Sequence, residues 1–241
     1  MPNTLCFDFG NTRKKCAVFS DGQFYKELIL EDDRDGTILD LIGKYRPEKS
    51  ILSSVINHNP GMEEILRKAT RFHKLDHLSK LPVTTPVGKP ETIGADRLAL
   101  VVAASSIFPG SNNLVIGMGS AITYNFVNKF KEFVGGSISP GMEMRFKSLQ
   151  VFTAKLPLVK PDWNFPLLGY DTRTNILSGV ILGMAKEIDG IIEAYEEKYD
   201  NFNVLLSGGD SGHFSRLLKK KIFADPYLLY KGLFIISGYN A

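Results

Sequence analysis

The sequence predicts an α/β protein of two duplicated domains with like topology, residues 1–111 and 112–241, facing one another across a cleft. Three observations lead there. Thr4–Phe9 (TLCFDF) reads as a buried strand that runs into a glycine turn and then further strands. From Asn113 the same order returns as LVIGMG, AITYNFV and EFVGGSI, separated by a glycine turn and a polar turn. Segments with helical spacing of apolar residues follow in both halves, as strand-and-helix layers require.

In the first half, Lys15–Phe19 and Gln23–Leu30 flank Asp21-Gly22, a favoured hairpin turn. Thr37–Tyr45 and Gly61–Thr70 carry apolar residues at helical spacing, with a strand over Ser50–Val55 between them. After the Pro-interrupted loop Pro82–Pro90, Ala95–Ile107 reads as a helix ending before Pro109-Gly110. The second half continues with a segment over Gly141–Thr153, a long helix over about Thr172–Lys198 and a strand over Asn203–Leu206. A helix follows Gly208-Gly209.

With 44% hydrophobic and 23% charged residues over 241 positions, the chain has the balance of an ordinary globular protein. No apolar run approaches a membrane span, and Met1–Gly10 lacks the pattern of a secretory signal, so a cytoplasmic protein without a membrane partner is expected. Cys6 and Cys16 form neither a disulfide framework nor a zinc-ligand spacing. A net charge of +3 does not call for nucleic acid.

The chemistry-bearing segments are glycine turns and one helix start. Asp8, Phe9, Gly10, Asn11, Thr12, Arg13, Lys14 and Lys15 (DFGNTRKK) join two strands. An aspartate closing an apolar strand needs solvent or a partner such as a metal ion, and Gly10 with the bases beyond it suits phosphate. A polar hairpin with a solvated basic corner is the plainer alternative. Gly117–Asn125 (GMGSAITYN), with Gly119 and Ser120, occupies the matching turn, and two such turns could grip a polyphosphate from both flanks. Ser207–Asp210 (SGGD) would let backbone approach a base or sugar. Gly94, Ala95, Asp96 and Arg97 (GADR) open a helix, where an anion is favoured and Asp96 could take a proton from a substrate hydroxyl. Asp96 capping the helix beside a surface Arg97 is the alternative. His73 and His77 read as packing or surface residues, and Lys219–Lys221 as a solvated face.

Taken in order, DFGNTR, GADR, G-x-G-S-A-x-T, GGSISPG, a Thr-rich helix start and SGGD resemble the type III pantothenate kinases of bacteria over almost the whole chain. That resemblance implies two ribonuclease-H-like domains of the actin and sugar-kinase type flanking a nucleotide cleft. It also implies a homodimer that phosphorylates pantothenate with ATP at the start of coenzyme A synthesis. It places Asp8 toward Mg2+, Asp8–Lys15 and Gly119-Ser120 on ATP, Gly94–Arg97 on pantothenate and Asp96 as the base. Thr172 matches a substrate-contacting threonine. The family pattern is departed from at Gly117, where an aspartate would hold K+ or NH4+, at Asn125, again an aspartate, and at Val87, a tyrosine. Monovalent-cation use is therefore in question. A degenerate member that binds nucleotide or pantothenate without turnover is the competing expectation, and Val87 leaves room for a kinase of another small hydroxylated acid.

Overall fold

The computed structural model describes residues 3–86 and 88–240, and its strands form two five-stranded sheets. The first has the order β3-β2-β1-β4-β5, from β1 (Asn3–Phe9), β2 (Lys14–Ser20), β3 (Gln23–Leu30), β4 (Pro47–Ser54) and β5 (Arg71–Lys74). β1, β2 and β3 run antiparallel in sequence, while β4 and β5 join β1 in parallel. Leu5, Phe7 and Phe9 point to one face with Leu52, where they pack against Ile38 and Leu41 of α1 (Asp35–Tyr45) and Met62 and Leu66 of α2 (Pro60–Ala69). Period-2 alternation sends Cys6 and Asp8 to the opposite face. That side carries α3 (Ala95–Ile107) and α7 (Leu228–Asn240). α7 is seated by Phe234 stacked on Phe19 at 4.5 Å and Tyr227 stacked on Phe24 at 4.3 Å.

The second sheet has the order β10-β9-β6-β7-β8, from β6 (Asn112–Met118), β7 (Ala121–Val127), β8 (Phe133–Pro140), β9 (Phe202–Ser207) and β10 (Phe223–Ala224). Leu114, Ile116, Ile122, Tyr124 and Phe126 bury one face under α4 (Met142–Val151) and α5 (Thr172–Glu196), with Phe214 from the short α6 (Ser211–Phe214). Strand for strand this order is that of the first sheet. β1 and β6 even share one burial pattern along their seven residues, which puts Asp8 and Gly117 in equivalent places.

Several expectations need correction in detail. β5, β10 and α7 were not foreseen, and the helix after Gly208-Gly209 is only four residues long. The chain forms two compact units. One holds the described residues up to Gly110, Val127–Val134 and those from Tyr227 onward; the other holds Ser111–Phe126 and Gly135–Pro226. A division at 111/112 differs from these units chiefly in two segments: Val127–Val134, tied to Thr84 by backbone hydrogen bonds, and the apolar C-terminal helix, which returns to cover the first sheet. His73, read as a packing or surface residue, lies on β5 and meets the Ser79 hydroxyl at 2.7 Å.

Candidate active site

Asp8 lies near the carboxyl end of β1, opposite Lys15 on β2 and Ser53 on β4. Among the described residues no hydrogen bond or ion pair reaches its carboxyl. Burial, followed by the nearby Asp96 carboxylate, pushes its pKa up to about 7, with Glu27 adding to the rise and Lys15 opposing it. Lys15 is instead drawn to Glu27 Oε1 at 2.9 Å, which also accepts the Tyr230 hydroxyl at 2.9 Å. Lys14 meets Asp33 Oδ1 at 2.7 Å and lies over the Phe9 ring. Two of the three bases expected to face phosphate are thus strand residues already paired with carboxylates. Asn11, Thr12 and Arg13 form the exposed turn itself, closed by the Gly10 N–H donating to Arg13 O at 3.1 Å.

The second element is α3. Gly94 is its N-cap in extended conformation, leaving Asp96 and Arg97 in the first turn. The Arg97 backbone N–H donates to Gly94 O at 3.0 Å and also lies close enough to the Asp96 carboxylate to favour its charged form; the N-cap is Gly94, not Asp96. Burial nevertheless raises its pKa above the usual carboxylate range, against the pull of the Arg97 N–H and guanidinium. The Arg97 guanidinium sits 5.4 Å from the centroid of the buried Phe133 ring. Within this unit, then, Asp8 and Asp96 are two carboxylates close enough for the Asp96 charge to raise the Asp8 pKa.

This donor set fits Mg2+. The ion uses one or two carboxylates with phosphate oxygens and water, and the Asp8 carboxyl lacks a partner. Among the described residues no group of three or more His, Cys, Asp or Glu could form an all-protein metal cage.

In the other unit, the β6–β7 turn carries Gly119 and Ser120, with the Gly119 N–H donating to Ala121 O at 3.1 Å. The start of α4 braces it. A Cβ at Gly141 would fall on the carbonyl oxygens of Gly119 and Ser120, 2.5 Å from the latter. Arg145, one turn further, donates to Pro140 O at 2.8 Å and Ser139 Oγ at 2.9 Å and pairs with Glu187, which also accepts the Tyr124 hydroxyl at 3.0 Å. Burial would raise the Glu187 pKa, but the hydrogen bonds from Arg145, Ser139 and Tyr124 outweigh it and hold it low. Gly208 of SGGD has φ +112, and its α-carbon packs against the Met118 backbone, a structural reason for glycine there. Thr172 is exposed in the first turn of α5, behind an Asp171–Thr174 capping box. It lines an open groove of about 570 Å³ with Arg145 and Asn175.

Sequence reading missed Ser53, Glu27, Tyr230 and the Arg145–Glu187 pair. Only the polar Ser53-Ser54 ending of an apolar strand offered a signal, since the others depend on pairing between distant segments.

A family model described as type III pantothenate kinase matches residues 4–194. The chain belongs to the type III pantothenate kinase family. A relative of that description from Christiangramia forsetii is 41% identical over 238 residues, covering 98% of both chains. Another from Bacteroides fragilis is 42% identical with the same coverage. Among solved structures, a Sinorhizobium meliloti protein assigned as a 2-dehydro-3-deoxygalactonokinase aligns with TM-score 0.61 at 14% identity, over 97% of each chain. The ADPNP-bound activator of the 2-hydroxyisocaproyl-CoA dehydratase from Clostridium difficile aligns with TM-score 0.54 at 10% identity, over 99% of this chain and 94% of that one. These likenesses establish the duplicated ribonuclease-H-like fold of the actin and sugar-kinase type.

At Gly117, where the resemblance implies an aspartate ligand for a monovalent cation, the residues present do not suit one. Gly117 offers no carboxylate. The buried Asn125 amide donates to Val115 O at 3.1 Å, Thr123 O at 3.3 Å and Thr123 Oγ1 at 3.1 Å, and brings no negative charge. Val87, the third departure, lies outside the described residues.

Proposed function

We propose that this chain transfers the γ-phosphoryl group of ATP to the hydroxyl of pantothenate, giving 4′-phosphopantothenate at the first step of coenzyme A biosynthesis. The observation carrying the site assignment is the convergence of Asp8 and Asp96 in one unit, two buried-side carboxyls with separate tasks. Asp96, its pKa raised by burial, takes the proton as the substrate oxygen attacks phosphorus and the bond to ADP breaks. Mg2+, held by Asp8, neutralises charge on the phosphates when bound. The turns Gly10–Lys15 and Gly119-Ser120 supply backbone N–H groups and hydroxyls to ATP, with Arg13 as the cation free to face it. Gly94, Ala95 and Arg97 orient pantothenate, the guanidinium facing its carboxylate, and Thr172 adds a substrate contact.

The reading includes a cytoplasmic homodimer. Among the described residues no helix is long and apolar enough to cross a membrane. Phe152, Leu167, Leu168 and Tyr170 are all more than four-fifths exposed beside the groove of α4 and α5, an apolar patch suited to a second copy. The deciding experiment is ADP release with and without pantothenate, for the wild type and Asp96→Asn. Pantothenate-dependent release that falls by about 10²–10⁴-fold in the variant, with nucleotide still bound, is expected. Wild-type kcat in Asp96→Asn would remove Asp96 from its role, and no turnover in the wild type would favour a binding protein.

A further inference from the structure

We propose that Ser53 supports the divalent-cation site at Asp8, its hydroxyl hydrogen-bonding a water of the ion's shell. The proposal rests on the reading that Asp8 faces Mg2+.

Ser53 is the parallel-strand partner of Asp8, so the two side chains leave the same face of the sheet side by side. Both stand near the carboxyl ends of adjacent parallel strands, where open α/β sheets receive their ligands. Ser53 is only 1% exposed, and its Oγ is buried with no hydrogen-bond partner among the described residues. A buried hydroxyl left unpaired is destabilising and calls for an explanation such as a bound ion or water.

Its neighbours on β4 show that this is no general property of the strand. Ser50 Oγ meets Thr70 Oγ1 at 2.6 Å, and Ser54 Oγ donates to Ile56 O at 3.0 Å. Of the three serines of β4, Ser53, beside the carboxyl that also lacks a partner, is the one whose hydroxyl is unspent. Mg2+ keeps several of its waters, and a hydroxyl beside its one carboxylate ligand is placed to accept or donate a hydrogen bond to one of them. The corresponding register pair of the other sheet is Gly117 and Ser207, which lacks the carboxylate.

The test is Mn2+ retention by the protein–ADP complex, read from the electron paramagnetic resonance of free Mn2+, with the melting temperature of the ligand-free protein measured in parallel. Ser53→Ala should weaken Mn2+ retention about 10-fold, the size seen when an outer-shell partner of a metal is removed. It should leave the melting temperature unchanged or higher, because an unpaired buried hydroxyl is gone. Ser53→Cys, of nearly the same volume, should lose Mn2+ likewise and guards against a folding defect in the alanine variant. Wild-type Mn2+ retention in both variants would overturn the proposal. Asp8→Asn separates the two readings: loss of Mn2+ there with no loss at position 53 sinks the Ser53 inference alone. Undiminished Mn2+ in Asp8→Asn sinks both.

Discussion

The backbone N–H of Gly141 donates to the Ser120 carbonyl at 3.1 Å, tying the start of α4 to the β6–β7 turn. Arg145 then fixes that helix start by grasping Ser139, Pro140 and Glu187. If the Ser120 turn holds phosphate, disturbing this brace should act on ATP and spare pantothenate. Gly141→Ala, whose methyl would meet the Gly119 and Ser120 carbonyls, is expected to raise the KM for ATP about tenfold or more. Glu187→Gln should do so more mildly, as one charge-assisted contact is weakened. Steady-state kinetics with each substrate varied in turn will check this; an equal rise in both KM values would show general loosening instead.

Arg97 and Phe133 offer a second prediction. The guanidinium lies over the Phe133 ring in a cation–π contact, and its planar fork is the geometry that binds a carboxylate in two places. Panthenol, which lacks that carboxylate, should show a kcat/KM well below that of pantothenate. The gap should close in Arg97→Met, because a charge-assisted contact is worth about 2–5 kcal/mol when one partner is removed. Equal kcat/KM for the two substrates in the wild type would refute the clamp.

The hairpin β2–β3 was legible because Asp21 and Gly22, with φ of 52° and 79°, supply the two left-handed residues such a turn needs. α3 was legible to the residue, since Gly94 opens it and Pro109-Gly110 lies just beyond its end. α7 escaped notice for a physical reason: it is apolar nearly all round, with Leu228, Tyr230, Leu233 and Ile236 buried, so no polar face marks its period. β5, reading RFHK, is short and mostly polar, and its pairing with β4 makes it a strand. In the site, Asp8 and Asp96 could be named from motifs, whereas the diversion of Lys15 to Glu27 depends on strand register. Nothing in a one-dimensional pattern shows that Ser53 is unpaired.

Glu63 provides a pH prediction for stability. Burial would raise its pKa, but hydrogen bonds from Lys74, His58 and Arg67 outweigh that and bring it down to about 2. A carboxylate with a depressed folded pKa stabilises the fold above its unfolded value, about 4.3, and loses that contribution as pH falls through the folded value. Glu63→Gln should therefore destabilise the protein by about 1.5–3 kcal/mol at pH 7. The difference from wild type should shrink between about pH 4.3 and pH 2. Urea unfolding midpoints across that range will measure it; a difference that stays constant down to pH 2 would contradict the role given to the charge.

The last prediction concerns Gly117, which occupies in β6 the place that Asp8 holds in β1. Where the family pattern sets a carboxylate for K+ or NH4+, this chain has none. The neutral Asn125 amide already satisfies the Val115 and Thr123 oxygens. A weakly held monovalent ion that loses its hard anionic ligand should be lost with it, and removing both leaves the local charge nearly unchanged. Turnover should then be slow, dependent on Mg2+ and almost insensitive to K+ and NH4+. Gly117→Asp combined with Asn125→Asp should create a K+ response by restoring anionic oxygen. Potassium titration at fixed ionic strength, balanced with a large inert cation, compares the two proteins. Steep K+ activation of the wild type would overturn the argument and point to Ser120 or backbone carbonyls as the ligands. A flat profile in the double variant would mean that two carboxylates alone do not rebuild the site.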